Sequence, residues 1–253
     1  MKMNTIHLLI SIDDTDNLYS PGSGTAAENM ATAMQVKGLA ECSDITRHQL
    51  FVHDDIPYTS GNSAMCFSAF SHADALDEII DFSKDFLRHA SAAGSDPGLC
   101  VAQNDGHLDK NALIAFGRKV KHTIVHKQAA YDLAHGLGVH LSEHGGTGGG
   151  IIGALAAIGL RLHGSDGRFR GWHHLGNAGD ITTPADLCSH PFVEAVVTAT
   201  GEQLQGDTPI VFAEDLVKTV LLNGLQAVPV AWISRNIKEP IWMTLNKKAI
   251  KQF

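Results

Sequence analysis

Three carboxylates, Asp13, Asp14 and Asp16, stand within four residues around Thr15, where a short apolar run ends. Carboxylates this close repel one another unless protons or a cation hold them. Mg²⁺ takes hard oxygen ligands and keeps waters and substrate phosphate oxygens in its shell, so one or two such aspartates suffice to hold a metal–phosphate pair. On a strand, Asp14 and Asp16 would share one face and Asp13 would point to the other. An acidic turn capping a strand, with Asp16 or Asn17 making an Asx-turn, explains these residues equally well.

Three further segments have types and spacing suited to phosphates. Ser20-Pro21-Gly22-Ser23-Gly24-Thr25 precedes a helical composition, and a helix start offers free N–H groups and the positive dipole end to an anion. A plain N-cap by Ser23 or Thr25, with Glu28 closing a capping box, is the stronger explanation of that segment by itself. Gly145-Gly146-Thr147-Gly148-Gly149-Gly150 carries five glycines in six residues. Each glycine costs backbone entropy, which favours a phosphate-cradling loop over a mere linker. The lysine of the P-loop pattern is missing, and so is the context of a dinucleotide fold. In the polar loop Ile56 to Ala64, Asn62 is within reach of a phosphate, a ribose or a base edge; a plain hairpin loop is the equal competitor.

Elements must bring these segments together. Apolar, β-branched Ile6 to Ile12 reads as a buried strand ending in the carboxylates, and Thr25 to Val36 as a helix. Ile45 to Val52, Ser63 to Phe70 and Leu99 to Ala102 read as strands, and Ala73 to His89 has helical apolar spacing. His72 offers an N-cap there. Lys110 to Phe116 and Lys127 to His135 suggest helices around a strand near Val120 to Val125. Ile151 to Leu160 reads as a helix turning into a strand by His163. Beyond this point Val193 to Thr200, Pro209 to Phe212, Leu216 to Leu222 and Leu225 to Ile233 are strand-like. Asn223-Gly224 signals a two-residue hairpin turn, and Pro229 suggests an edge strand. The expectation is an α+β (mixed α/β) body over residues 1–175 and a smaller β-rich region over 176–253.

Composition narrows the classes. The chain has 253 residues, is 44% hydrophobic and 18% charged, and carries a net charge of −8. That charge opposes strong nonspecific affinity for nucleic acid but leaves room for a local basic groove. No stretch is long and apolar enough to span a bilayer, and Met1 to Ser11 does not resemble a signal peptide, so a cytoplasmic location is expected. The separated Cys42, Cys66, Cys100 and Cys188 argue against a zinc ribbon and disulfides, and each is expected to be a small buried hydrophobe. His122 with His126, His140 with His144, and the neighbours His173 and His174 are the histidine pairs to weigh as metal ligands; surface or hydrogen-bonded core histidines are the commoner outcome.

Taken in order, these motifs resemble the kinase-like catalytic domain of archaeal tRNA agmatidine synthetase (TiaS). The matching pieces are Ile12-Asp13-Asp14-Thr15-Asp16, a glycine-containing turn with Thr25, Ile56-Pro57-Tyr58 with Gly61-Asn62 and Ala64, Asp96-Pro97-Gly98, and Gly149-Gly150-Ile151-Ile152-Gly153-Ala154 onward. They cover roughly the first 175 residues. The resemblance implies ATP and Mg²⁺ as cofactors, with Asp13, Asp14 and Asp16 as metal-handling catalytic residues. It implies phosphate contacts from Gly24, Gly146, Thr147, Gly148, Gly149 and Gly150, an acceptor or ribose contact from Asn62, and a phosphorylated threonine at Thr25.

Two departures stand out. Tyr58, Thr59 and Ser60 replace basic residues of the family loop, and the OB-fold and paired-cysteine zinc ribbon have no counterpart here. The expected activity is therefore Mg²⁺- and ATP-dependent phosphoryl transfer or ligase-like activation of a carbonyl-type acceptor. A minimal tRNA- or RNA-modifying enzyme of that family and a noncatalytic nucleotide or small-ligand module stay open. Expected partners are a nucleotide and a small-molecule or RNA acceptor, with a homo-oligomer as an open alternative.

Overall fold

The computed structural model describes residues 5–59, 61–233 and 241–253, so Met1–Asn4 of the segment Met1 to Ser11 and Ser60 of the polar loop lie outside the described residues. The chain divides into two compact units, Met1–His163 and Gly164–Phe253. The fold is mixed α/β, with a strand-rich C-terminal part.

In the first unit the elements are β1 (Thr5–Asp13), α1 (Ser23–Val36), β2 (Glu41–Cys42), β3 (Thr46–Gln49), β4 (Ser63–His72), α2 (Leu76–Ala90), β5 (Gly98–Gln103), α3 (Lys110–Val120), α4 (Lys127–Leu137), β6 (His140–Glu143) and α5 (Gly150–His163). The strands form an antiparallel sheet in the order β6-β5-β1-β4-β3, with β2 also on β4. Both faces are covered, which explains why β1 reads as a nearly continuous apolar run. Leu8, Ile10 and Ile12 pack with α1 and α2 through Met30, Met34, Ile79 and Leu87. Leu9 packs on the other face with α3, α4 and α5. Each fully buried Leu or Ile here contributes about 1.5–3 kcal/mol.

Helix α5 is apolar all round because it lies between the sheet and α3, and Ala154 to Ile158 are fully buried. Its contact with α3 is close at two glycines. A Cβ on Gly159 would meet the Leu113 carbonyl oxygen at 1.9 Å, and one on Gly117 would meet that of Ala156 at 2.7 Å. The residues near Val120 to Val125, expected as a strand, form the end of α3 and a turn, and Leu160 to His163 is the last turn of α5. β-branched residues there are outweighed by the tertiary packing of the helices.

The second unit contains β7 (Arg168–Phe169), β8 (His173–His174), β9 (Ile181–Thr182), α6 (Pro184–Leu187), β10 (Ala195–Thr198), β11 (Gln203–Leu204), β12 (Ile210–Val211), β13 (Leu216–Val217), β14 (Val220–Leu222), β15 (Leu225–Ile233) and β16 (Ile241–Thr244). Asn223 and Gly224, at φ 54° and 79°, turn β14 into β15, as an Asn that tolerates positive φ and a glycine without a Cβ allow. Strand β15 is not the edge strand that Pro229 suggested: it pairs with β14, β16 and β10. Pro229 lacks only the donor, and its carbonyl still accepts from Leu245 N. All four cysteines are free; Cys66 and Cys100 are buried as expected, whereas Cys42 is half-buried and Cys188 exposed. Among the described residues no helix is long and apolar enough to cross a membrane.

Candidate active site

Strand alternation fixes the position of the first carboxylate. Ser11 and Asp13 follow Leu9 on the α5 face of β1: Ser11 Oγ donates to the Ala154 carbonyl, and Asp13 lies buried against Gly153. A Cβ at Gly153 would stand 1.8 Å from Asp13 Oδ2, so only glycine admits that carboxyl. The strand ends there. Asp14 adopts φ 52°, a left-handed conformation that aspartate tolerates better than most residues. This break brings Asp13 and Asp14 into one cavity, contrary to their opposite-face placement on a continued strand.

Asp16 organises the loop that follows. Its carboxylate accepts from Ser23 Oγ at 2.7 Å, Ser23 N at 3.2 Å and Thr59 Oγ1 at 3.0 Å. Ser23 Oγ in turn accepts from Thr15 N at 3.0 Å. Helix α1 is N-capped by Gly22 without a side-chain bond, so Ser23 and Thr25 do not form the expected cap of a capping box. The Ser23 hydroxyl is committed to Asp16 instead. Asn17 does make the expected Asx-turn, accepting from Tyr19 N at 2.9 Å.

The glycine loop wraps around Asp96. Thr147 N and Thr147 Oγ1 both donate to its carboxylate, the hydroxyl at 2.6 Å, and Gly150 N donates to its carbonyl at 3.1 Å. Gly146 and Gly148, at φ 54° and 74°, shape this wrap. A Cβ on Gly146 would collide with Asp96 Oδ1 and one on Gly148 with the Glu143 carboxylate. From outside, Lys127 Nζ donates to the Thr147 carbonyl and to Glu143 Oε1, the latter at 2.9 Å. Tyr131 OH donates to the same Glu143 oxygen, and these two donors hold the Glu143 carboxyl below its usual range. Gly98 lets the start of α5 touch β5, since a Cβ there would lie 2.2 Å from the Gly150 carbonyl carbon.

These segments enclose a cavity of about 250 Å³ within the first unit. Of the residues singled out in the sequence, Asp13, Asp14, Asp16, Asn62, Thr147, Gly149 and Gly150 line it, together with Ser23, Thr59, Asp55 and Asp96. Gly24, Thr25, Gly146 and Gly148 are not among its lining residues: Ser23 supplies the wall hydroxyl on α1, and the other two glycines serve the loop's own geometry. The Asn62 side chain braces the wall by donating to the Phe51 carbonyl at 2.7 Å. Leu50, Ile56, Pro57, Val120, Ile124 and Ile152 make an apolar side.

Electrostatically the cavity is one-sided. Five aspartates line it, and no Lys or Arg among the described residues does. Burial, then the Asp14 charge, pushes the Asp13 carboxyl up to about 8. Burial, then Asp96 and Asp16, pushes Asp14 up to about 6. Carboxyls whose ionisation is disfavoured by burial and mutual repulsion suit a hard divalent cation, which would favour their ionised forms. Among the described residues no three His, Cys, Asp or Glu side chains converge as a metal site. Asp13, Asp14 and Asp16 therefore do not form a cage by themselves, because Asp16 turns to Ser23 and Thr59. The donor set fits a cation whose shell is completed by phosphate oxygens and water.

The histidine pairs lie elsewhere. His126 caps α4 through its backbone, and His140 and His144 share the Ser142 hydroxyl at 2.9 and 2.8 Å.

The fold is of the mixed α/β class, and its first unit carries an acidic, glycine-lined cavity. No family model and no curated protein matches the chain. Solved structures do match, and the resemblance is to the catalytic domain of TiaS. A crystal structure of apo TiaS, the tRNA agmatidine synthetase, is 22% identical with a TM-score of 0.51, over 60% of this chain and 35% of that one. A tRNA fluorescent labeling enzyme is 24% identical with a TM-score of 0.53, over 60% and 36%. A complex of TiaS with tRNA, AMPCPP and agmatine is 20% identical with a TM-score of 0.51, over 60% and 36%. The chain thus spans 35–36% of the length of these structures, and at such identities the likeness establishes the fold.

Proposed function

We propose that the first unit is the catalytic domain of an Mg²⁺- and ATP-dependent enzyme that phosphorylates a carbonyl-type acceptor or activates it in a ligase-like reaction. The observation that carries this is the juxtaposition of Asp13 and Asp14 with the glycine loop at the N-terminus of α5. A polyphosphate entering a cavity of five aspartates without a lining cation must bring its own positive charge. Asp13 and Asp14 would hold Mg²⁺, which when bound neutralises charge on the transferring phosphate. The chain's own part is positioning: Asp96 sets the Thr147 loop, Asp16 and Thr59 set Ser23, and the apolar side accommodates a base. Ser23, which lines the cavity where Thr25 does not, is the α1 hydroxyl that would face the nucleotide. The fold shared with a TiaS complex containing AMPCPP supports the nucleotide.

Isothermal titration with ATP in the presence and absence of Mg²⁺ tests the site. Binding that needs Mg²⁺, and that Asp14→Ala weakens about tenfold or more, is expected; metal-independent ATP binding, or unchanged affinity in the variant, would overturn the assignment.

An RNA acceptor is the second reading, favoured by one feature of the rim. The Arg47 guanidinium lies against Gly61, and its Nε donates to Ser63 Oγ at 2.8 Å. Arg118 and Lys119 are exposed on the last turn of α3, before the lining Val120.

A further inference from the structure

Five of the six residues from Gly145 to Gly150 are glycine, so the chain there has wide conformational freedom and few side chains to pack. A loop of this composition keeps one shape only when other elements fix its peptide groups. Asp96 takes the Thr147 amide and hydroxyl. The Thr147 carbonyl has a different partner.

That partner is Lys127, whose Nζ donates to the Thr147 carbonyl, 20 residues away in sequence, and to Glu143 Oε1 at 2.9 Å. Lys127 is the first residue of α4, and Thr123, Ile124 and Val125 just before it line the cavity. Lys127 itself is not a lining residue. Glu143, the last residue of β6, is pressed against the loop as well, since a Cβ on Gly148 would meet its carboxylate at 1.7 Å. Tyr131, one turn along α4 from Lys127, packs on the core of the first unit and donates to the same Glu143 oxygen at 2.6 Å. Burial and that bond push the Tyr131 hydroxyl up to about 12, so it stays a donor at neutral pH.

A peptide group is planar, so fixing the Thr147 carbonyl also fixes the direction of the Gly148 N–H, which donates to the Gly145 carbonyl at 3.2 Å. The chain then leads into Gly149, which lines the cavity, and Gly150, which opens α5. Backbone amides cradle a phosphate best when they face it before it arrives, because ordering a free loop on binding costs affinity. An ammonium donor makes a stronger bond to a carbonyl than a neutral donor does, which suits Lys127 to this task.

We infer that Lys127 is a positioning residue of the cavity: from outside the lining it holds the Thr147 carbonyl and so sets the glycine loop for a phosphate. The role toward phosphate rests on the reading of the cavity as a Mg²⁺-nucleotide site; the clamp on the loop does not. Tyr131 holds Glu143 and Glu143 keeps the ammonium in place, so these two act through Lys127.

Hydrogen exchange of the ligand-free full chain, followed in peptides covering residues 144–152, reads the clamp directly. Lys127→Met should speed exchange there about tenfold and leave β1, β4 and β5 unchanged, with a melting temperature within about 3 °C of wild type. Lys127→Arg keeps a charged donor and should restore slow exchange. Isothermal titration should then give a Kd for Mg²⁺-ATP about tenfold higher in Lys127→Met and near wild type in Lys127→Arg. Loop exchange that ignores Lys127→Met overturns the inference. So does faster exchange in β1, β4 and β5, which would make Lys127 a general structural support. ATP affinity lost with loop exchange unaltered also overturns it, because the ammonium would then meet the phosphate itself. Equal ATP affinity in Lys127→Met and wild type removes the lysine from the site and leaves the nucleotide reading intact. A wild-type chain that binds no Mg²⁺-ATP, with loop exchange still set by Lys127, sinks that reading and leaves the clamp standing.

Discussion

Burial drives the Asp13 carboxyl up to about 8, and the charges of Asp14 and Asp16 push it the same way. Its folded value lies above the ordinary 3.8, so between these values the unfolded chain releases a proton that the folded chain keeps. Stability should therefore fall as pH rises from about 4 to about 8 and level off above that. Asp13→Asn keeps the shape and removes the titration. The variant should melt about 2–10 °C above wild type at pH 8, equal it at pH 4, and bind Mg²⁺-ATP more weakly under the proposed assignment. Thermal denaturation across pH reads this, and a wild-type advantage at pH 8 would show that Asp13 is not held in the way its burial dictates. The same shift predicts release of about one proton when Mg²⁺-nucleotide binds at pH 7, measurable by titration in buffers of different ionisation enthalpy. A polar sequence position thus carries a stability cost that its acidity alone does not announce.

At the scale of elements, the glycines separate into two roles that look alike in the sequence. Gly146 and Gly148 allow the loop to wrap carboxylates, whereas Gly117 and Gly159 let α3 and α5 approach backbone to backbone. Gly159→Val should lower the melting temperature by about 5–10 °C or more, since overpacking a close helix contact costs about 1–3 kcal/mol and this one leaves no space. Differential scanning calorimetry would register it, and an unchanged transition would mean that the helices part without cost. The helices and strands themselves were legible: β1, α1, β4, α2, β5 and α5 follow from apolar period and composition. The segment Val120 to Val125 was not. Its β-branched residues suit a strand in isolation, but there they form the end of α3 and a turn that supplies the apolar side of the cavity.

For the whole molecule, each unit has its own apolar cores, around α5 and the sheet in the first, and around Val228 and Val230 or Ala195 and Val220 in the second. Ligand binding in the cavity should therefore protect amides of the first unit and leave the second at its own stability. Hydrogen exchange with and without a non-hydrolysable Mg²⁺-ATP analogue is expected to slow in residues 13–25, 96–98 and 145–153, and not in residues 164–253. Equal protection throughout would show one cooperative unit instead of two.

The acidic cluster, the glycine loop and the alternation of β1 were determined by the sequence, because local propensity and side-chain type specify them. What that information lacks is distance. Asp96 reads as part of a turn, Ser23 as a helix cap and Thr59 as a loop residue, and no spacing links them to Asp13. Only the folded chain brings Asp96 onto Thr147, commits Ser23 to Asp16 and places Thr25 outside the cavity lining. Those contacts join residues up to 51 positions apart through sheet pairing and the close approach of α5 to β5. Long-range pairing of that kind is a property of packing, which no local pattern encodes.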